Sequence, residues 1–537
     1  MVKRILTWVG VVVVVIALAI GGLMLYISRQ TGSLDTVLRQ RAVEYLSNRF
    51  NAQVELQEIH VQLPRYNLLR AVFQRGRGLL AQVDGKGLLV RYQKRTDLPP
   101  MFRIDSFRAN IGFEGLFRPS RRVAGLKIDG MEINVPPRED RPKSNGPSGK
   151  GPVALSFGEA RIQNLRLVIL PKVQSKEPLE FQIRDIRLET ADEAGEVKYQ
   201  ADLFNPKPPG EIVSHGMFGP WEKDDPGGTP LSGNYDFNHA DLSIFPAIAG
   251  ILYSTGTFSG ELSTITAKVQ ATVPDFRLKR ANNPVNLQTS FEVLVDGTNG
   301  NTELKPVNAI LGSTRFTTSG AILKQHGQTK RSIDLTVQMK QGEVADLLKL
   351  AMAGSPMLKG KINFDAAIKV PPISGKVKEK LIVDGTFSIA DGYFLRSQVR
   401  QRLDGLSRRA QGEPKDLQIE DVMTELAGKL HIEDAAVTFS SLNFSVPGAR
   451  VALMGSYDMN QGNINFDGSA SLDAKVSQTL TGWKRILVKP FDPLFARNGA
   501  GTFLPIEIRG DSKHPKFSVP IGKALTGSTS GPKVAKN

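Results

Sequence analysis

Strict alternation of apolar and polar residues is the feature that most restricts how this chain folds. Ile333 and Leu335, for example, alternate with Ser332, Asp334 and Thr336. Period-two alternation places successive side chains on opposite faces of a β-strand. A strand with one apolar and one polar face is typical of antiparallel sheets. The apolar residues predicted to line one shared face are Ile265, Val269, Val273, Ile333, Leu335, Val337, Ile362, Phe364, Ile368, Ile464 and Phe466.

Turn signals recur between these stretches. Asp-Gly and Asn-Gly pairs, as at 296–297 and 299–300, favour tight hairpins. The chain holds 51 glycines in 537 residues, a content that we attribute to such turns. Helical patterns are few, at 33–50, 343–353 and 397–409. The sequence therefore predicts a mainly β fold: one amino-terminal transmembrane helix, then an elongated, curled antiparallel sheet of around 25 strands with a few short helices.

Length and composition divide the chain into six predicted parts. A chain of 537 residues is too long for one core. A proline-rich stretch without periodicity, residues 136–152, reads as a linker or long loop. The predicted parts are 1–30 (membrane anchor), 31–135 (helix and strands), 136–152 (linker), 153–375 (middle β region), 376–520 (carboxy-terminal region) and 521–537 (disordered tail).

The membrane anchor is predicted from an uncharged run at 5–28, which Lys3 and Arg4 precede and Arg29 follows. About 20 apolar residues span a bilayer core. A cleaved signal peptide is the alternative, because Ala17-Leu18-Ala19 resembles a cleavage site, although hydrophobicity continues past it. A short head and a large following domain favour a cytosolic head and an external body. The residues assigned to the anchor are Trp8, Val11, Val15, Leu18, Leu23 and Tyr26.

Positive charge is concentrated near this anchor. The net charge is +16, and residues 1–130 contribute 20 basic and 9 acidic side chains, or +11. Anionic lipid headgroups are one partner that this distribution favours, and the ordinary solvated faces of a basic protein are the other explanation. The sequence has no zinc-finger spacing and no RNP-type aromatic motif, so we expect no nucleic-acid partner.

Catalytic and metal-binding motifs are missing from the sequence. The chain has no cysteine, and its six histidines lie far apart without paired-ligand spacing. No Gly-x-Ser-x-Gly elbow and no Walker A loop occurs, since Gly149-Lys150 and Gly375-Lys376 lack a following Ser or Thr. We therefore expect no enzyme activity, no metal and no cofactor.

Several segments, taken in order, resemble the AsmA-like proteins of bacterial envelopes. Residues 43–64 (VEYLSNRFNAQVELQEIHVQLP) are similar to the amino-terminal signature of that family, and 381–409, 428–458 and 477–510 are similar to its carboxy-terminal region. The resemblance implies an inner-membrane anchor and a periplasmic body. It also implies kinship with chorein-type bridge-like lipid transfer proteins, whose sheets form an apolar trough. The implied role is phospholipid transport between inner and outer membranes and outer-membrane biogenesis.

Three functions remain open on the sequence alone. A lipid groove predicts that a charge at Phe364 or Val269 blocks transfer without unfolding the protein. A non-enzymatic scaffold or assembly factor for outer-membrane or other envelope proteins predicts packed interiors instead. An envelope hydrolase requires a pocket where histidine and carboxylates converge. Alternation does not distinguish them, because it does not say whether an apolar face meets protein or lipid.

Overall fold

The computed structural model is mainly β, with 68% of the described residues in strands. The described residues are 36, 39–40, 42–44, 46–47, 52–62, 80–92, 98–112, 122–135, 156–170, 178–190, 195–220, 226–297, 300–324, 331–372, 379–415, 422–481, 486, 489–496, 501–511 and 514–520. They divide into two units, which comprise 1–245, 251–269 and 295–298 in unit 1 and 246–250, 270–294 and 299–537 in unit 2. The predicted anchor, the 136–152 linker and the 521–537 tail lie outside the described residues.

The described residues form 24 strands, close to the number expected from the turn spacing. The first twelve are β1 (Ala52–Gln62), β2 (Leu80–Tyr92), β3 (Phe102–Gly112), β4 (Arg122–Val135), β5 (Ser156–Ile169), β6 (Leu179–Thr190), β7 (Val197–Pro206), β8 (Pro209–Phe218), β9 (Pro230–Asp241), β10 (Ile248–Ala249), β11 (Ile251–Glu261) and β12 (Thr264–Leu278). The others are β13 (Val285–Val295), β14 (Thr302–Leu311), β15 (Thr314–Leu323), β16 (Ser332–Glu343), β17 (Leu358–Val370), β18 (Ile382–Phe394), β19 (Thr424–Glu433), β20 (Ala436–Val446), β21 (Ala449–Asp458), β22 (Asn463–Leu472), β23 (Thr502–Asp511) and β24 (Lys516–Ser518).

Helices are few, as predicted. They are α1 (Val344–Ala351), α2 (Ser397–Ala410) and the short α3 (Asp492–Phe495). The predicted helices at 343–353 and 397–409 are thus confirmed, to within two residues at each end. The described residues within 36–47 are also helical, and Ala42 and Leu46 are buried there, as the i, i+4 pattern of that segment predicts.

Consecutive strands pair antiparallel in both units, with one exception. In unit 1, β1 to β4 pair in order, β5 to β9 pair in order, and β9 pairs with β11. In unit 2, β14 to β24 pair in order. The exception is β4 with β5, which run parallel. The other pairs named here follow the predicted antiparallel pattern, and β4 with β5 is the departure from it. Parallel neighbours require a long connection, and the residues between Val135 and Ser156 supply the necessary length.

Unit 1 has a packed core on one face of β1 to β6. Its fully buried side chains include Leu88, Val83 and Ile104, and Ala42 and Leu46 of the helical segment join the same cluster. Within each of β1 to β5 the alternation shifts once by one residue, so that two successive buried residues are three positions apart instead of two. The buried side chains immediately before and after the shift belong to the same cluster. Positive φ angles at Gly87 (65°), Gly130 (70°) and Asn164 (54°) accompany the change of phase. The residues on either side of the shift are Leu56 and Ile59, Gly85 and Leu88, Ile104 and Phe107, Ile128 and Met131, and Ile162 and Leu165.

Many glycines lie inside strands, which corrects the assignment of glycine to turns alone. Gly85 pairs with Phe107 across β2 and β3, and a Cβ atom at position 85 would lie 2.2 Å from that ring. An aromatic ring over a strand glycine replaces the packing that the glycine cannot supply. Other directly opposed pairs include Gly256 with Tyr235, Gly233 with Phe258, Gly428 with Phe387, and Gly455 with Phe466.

Candidate functional site

The strand register of unit 2 aligns three apolar rows on one face of β16 to β22. The first row begins with Leu335, opposite Ile368, and reaches Ile464 on β22. The members of the first row are Leu335, Ile368, Val383, Ile432, Val437, Tyr457 and Ile464. The second row is Val337, Ala366, Gly385, Leu430, Phe439, Gly455 and Phe466, and the third is Met339, Phe364, Phe387, Gly428, Leu442 and Leu453. We call these three rows the apolar face.

Most large side chains of the apolar face are only half-buried. In the first row, Val383 is buried and the other six residues are intermediate in exposure. The second row is shallow in its middle, because Ala366 and Gly385 are neighbours there. The half-buried residues of the first row therefore keep part of their apolar surface exposed. Such a surface favours an apolar ligand by about 0.8 kcal/mol per buried CH₂ group.

Five of the predicted lining residues meet on β16 and β17. Leu335 lies opposite Ile368 in the first row, Val337 lies in the second row opposite Ala366, and Phe364 lies in the third row opposite Met339, so that they share the face as predicted. Ile333 lies opposite Val370 at the other end of the pair. All five are half-buried. The alternation of the sequence thus identified neighbours in space as well as neighbours along a strand.

The remaining predicted residues have different environments. Ile464 and Phe466 lie on β22 on the same face, and the Phe466 ring is 5.9 Å from the Phe439 ring, centroid to centroid. On β12, Ile265 and Val269 are half-buried in unit 1, and Val273 is buried in unit 2. Ile362 is only 7% exposed, because it packs under α1.

Helix α1 covers one end of the apolar face. Its Val344 packs with Met339, Leu358, Ile362 and Ile389 in one buried cluster, and Phe364 and Phe387 contact the edge of that cluster. The accessible part of the apolar face therefore begins beyond Phe364. A charge at Phe364 is expected to disturb the packing under α1, so Phe364 is not the position that separates ligand binding from folding.

A buried carboxylate holds α1 against the sheet. Asp346 accepts hydrogen bonds from the Ser313 amide (2.8 Å), the Ser313 hydroxyl (2.8 Å) and the Thr314 hydroxyl (3.0 Å) in the β14–β15 turn. Burial by itself raises the pKa of Asp346, but these hydrogen bonds outweigh it, and the pKa lies below the ordinary value. Gly312 completes the turn with φ +63°, and a Cβ atom there would lie 2.6 Å from the carboxylate. The position of α1 on the sheet therefore depends on the conformation of the β14–β15 turn, and on glycine at position 312.

Sequence reasoning missed several residues of the apolar face. Gly385, Gly428 and Gly455 occupy positions on it, although glycine carries no hydrophobic signal. Val383, Gly385, Phe387 and Ile389 do alternate on β18, and that pattern becomes visible once glycine is counted as an apolar-face residue. The register shifts at 339–342 and 389–392 also break the period, so the sequence gives no continuous pattern through them.

The opposite, polar face of the same strands carries a cavity of about 550 Å³. Its lining includes Thr336, Asp365, Thr386, Lys429 and Ser440. In its wall His431 Nδ1 lies 2.7 Å from Asp384 Oδ1, and His431 Nε2 lies 3.3 Å from Glu433 Oε2. A histidine and carboxylates therefore converge here, which is the arrangement that the hydrolase hypothesis requires.

The charge state of His431 does not suit a general base. The hydrogen bond with Asp384, then that with Glu433, raise the pKa of His431 above its ordinary value. An imidazolium held by two carboxylates has no free nitrogen to accept a proton from a nucleophile. The His431 and Asp384 side chains are also 42% and 67% exposed, so water competes for both groups. We interpret this cluster as a surface ion-pair network.

Within the described residues, no helix is both long and apolar enough to span a bilayer. The predicted anchor residues Trp8, Val11, Val15, Leu18, Leu23 and Tyr26 lie outside those residues, and the anchor stays a prediction. Comparison of the chain with protein-family models, curated proteins and solved structures finds no match. The resemblance to AsmA-like proteins therefore stays an expectation.

Proposed function

We propose that the protein binds phospholipid through its apolar face and transfers it between the inner and outer membranes, anchored to the inner membrane by residues 5–28 with its body in the periplasm. The observation that supports this proposal is the half-buried state of the first row. Six of the seven side chains of that row keep apolar surface exposed across β16 to β22, and the buried Val383 lies between Ile368 and Ile432. Contiguous exposed apolar surface is characteristic of binding sites.

Phospholipid suits this surface better than a small rigid ligand. The first row continues from strand to strand with aliphatic side chains, and Tyr457 is the one member that carries a polar group. An acyl chain is linear and apolar, and each CH₂ group placed on such a surface contributes about 0.8 kcal/mol. Moving a lipid along it requires no nucleophile, metal or nucleotide.

Site-specific photocrosslinking tests the binding step. A photoreactive residue at Leu335 or Ile368 is expected to label phospholipid in cells, because both side chains belong to the first row. Lys369 is the matched control, since it adjoins Ile368 and lies on the opposite, exposed face. Equal labelling at 368 and 369, or no labelling at 335 and 368, would contradict the proposal.

A pair of charge substitutions tests transfer. Val337→Asp places a carboxylate on the second row, and Gln338→Asp adds the same charge on the polar face. We expect Val337→Asp to lose lipid co-purification and transfer by at least tenfold while both variants stay folded. If a folded Val337→Asp variant transfers lipid as fast as the wild type, the proposed lipid-transfer function is contradicted.

The scaffold function is the second candidate, and the packed core of unit 1 favours it. The face of β1 to β6 is closed by protein side chains, as an assembly factor with packed interiors would require. This candidate predicts that Val337→Asp binds outer-membrane protein partners as well as the wild type does.

A further inference from the structure

Helix α2 carries a concentration of positive charge beside the apolar face. It contains Arg400, Arg402, Arg408 and Arg409 against a single acid, Asp404, and Arg396 immediately precedes it. Arg400 is engaged by Tyr393, whose ring centroid lies 5.1 Å from the guanidinium carbon. Asp404 accepts a hydrogen bond from the Val422 amide at 3.3 Å. The net charge of α2 is therefore positive.

The other four arginines of this group have no anionic partner in the part of the chain that the structure describes. Among the described residues, the side chains of Arg396, Arg402, Arg408 and Arg409 make no ion pair, and the first, second and fourth of them are exposed. Two strand arginines differ in this respect, since Arg108 pairs with Asp84 at 2.6 Å and Arg509 pairs with Asp467 at 2.7 Å. An unpaired arginine cluster retains its capacity for bidentate binding of a phosphate.

Helix α2 is fixed on the same side of the sheet as the apolar rows. Its Leu403 and Leu406 pack against the cluster of Ala410, Val446 and Ala449, together with Phe444. Phe444 lies opposite Leu426, Leu426 opposite Ile389, and Ile389 opposite Ile362, which precedes Phe364 by two residues on β17. The Ser407 hydroxyl also donates to the Pro447 carbonyl at 2.8 Å. The helix thus has an apolar side on the sheet and an exposed cationic side.

The spacing suits a lipid with its headgroup at α2. Along β19, Leu430 and Ile432 of the apolar face lie four and six residues beyond Leu426. At about 3.3 Å per residue these separations are about 13 and 20 Å. One leaflet contributes about 15 Å of a bilayer core of about 30 Å. An acyl chain lying on these residues therefore places its phosphate near the helix.

We propose that α2 is a receptor for the phosphate of an anionic phospholipid, which rests on the proposed lipid-binding function and adds a headgroup preference to it. Unpaired guanidinium groups attract a net negative headgroup. They repel the ammonium of a zwitterionic one, since no unengaged acid is available on α2 to bind it. At about 1 kcal/mol for each basic side chain near a lipid surface, one arginine contributes about fivefold in preference and two about 30-fold.

Lipid capture by the full chain, purified in a neutral detergent, tests this inference. The probes are phosphatidylglycerol and phosphatidylcholine with identical acyl chains, offered together. The test variant is Arg402→Gln/Arg409→Gln, and the matched control is Arg315→Gln/Lys340→Gln, which removes the same charge from exposed strand positions of unit 2. We expect the preference for the anionic lipid to fall about 30-fold in the test variant and to remain in the control, with capture of phosphatidylcholine unchanged in both.

The possible results distinguish failure of the headgroup role of α2 from failure of the proposed lipid-binding function. If the wild type captures both lipids equally, or if the test variant keeps the preference, the headgroup role of α2 is overturned and lipid binding stands. If neither lipid is captured, the proposed function fails and this inference with it. If inorganic phosphate alone binds the wild type as tightly as phosphatidylglycerol does, and Arg402→Gln/Arg409→Gln removes that binding, α2 is a site for a soluble anion, and the lipid assignment is overturned.

Discussion

Strands β1 to β6 and strands β16 to β22 follow the same alternating pattern but end in opposite states. In the first region, large apolar residues such as Leu88 and Ile104 are at most 2% exposed. In the second, Leu335, Ile368 and Ile432 occupy equivalent alternating positions and stay half-buried. The first region has a helical segment, with Ala42 and Leu46, packed into its cluster. In the second region α1 and α2 cover only the end of the face.

This difference shows that alternation fixes which side chains share a face and leaves open what covers that face. The cover depends on contacts between distant segments, which a local period does not encode. A covered face contributes to stability, whereas a half-covered one retains free energy for a ligand. The same local pattern therefore forms a core in one region and leaves apolar surface exposed in the other.

Removing a large side chain separates the two regions most strongly. Leu88→Ala leaves a cavity in the packed cluster and is expected to cost about 2–5 kcal/mol of unfolding free energy. Leu335→Ala removes a side chain that is already partly solvated and is expected to cost about 1 kcal/mol or less. Denaturant unfolding followed by hydrogen exchange in each region measures both. Similar losses at the two sites would mean that the face of β16 to β22 is covered in solution.

Two glycine substitutions sharpen the same contrast. Gly85→Ala drives a methyl group into the Phe107 ring, 2.2 Å away, and is expected to cost about 1–3 kcal/mol because a packed core resists extra volume. Gly385→Ala finds its nearest neighbours at 3.3–3.4 Å on the half-buried face. It is expected to change stability by less than about 1 kcal/mol, since alanine also suits a strand better than glycine. Thermal unfolding of the two variants gives the comparison, and a large loss for Gly385→Ala would contradict it.

The glycines also show how far the sequence predicts this fold. Periodicity predicts the mainly β fold, helices α1 and α2, and the apolar residues that share a face on β16 and β17. Each of these features depends on residues that are close to one another along the chain. The parallel pairing of β4 with β5 and the placement of Ile362 under α1 do not, since both depend on how segments meet. Gly455 in the second row carries no local signal at all. The cationic character of α2 is readable from its arginines, but its position beside the apolar face is not.

Acidification is expected to uncover the protected end of the apolar face. The pKa of Asp346 is lowered in the folded protein, so its contribution to stability is complete above the ordinary value of 3.8 and is lost as the pH falls through the folded pKa. The hydrogen-exchange protection of α1 should therefore decrease below about pH 4. Asp346→Asn should lose that dependence and lower the stability of α1 by about 1–3 kcal/mol at neutral pH. Asp334→Asn, an exposed acid on β16, is the matched control and should behave as the wild type.

The smallest expected effect concerns the polar faces of the two regions. Around β2 to β6 most ion pairs use arginine, as in Arg108–Asp84 and Arg161–Asp185, and the charges of these groups do not change near neutral pH. Behind the apolar face the pair is His431–Asp384, and the folded pKa of His431 is raised. Its stabilisation is therefore complete below the unfolded pKa of about 6.5 and is lost as the pH rises through the folded pKa. Because both side chains are exposed, solvent screening keeps the change small, so an NMR titration of the His431 ring is the suitable measurement. Asp384→Asn should move that pKa back toward the ordinary value, and an unmoved titration would show that the ion pair does not form in solution.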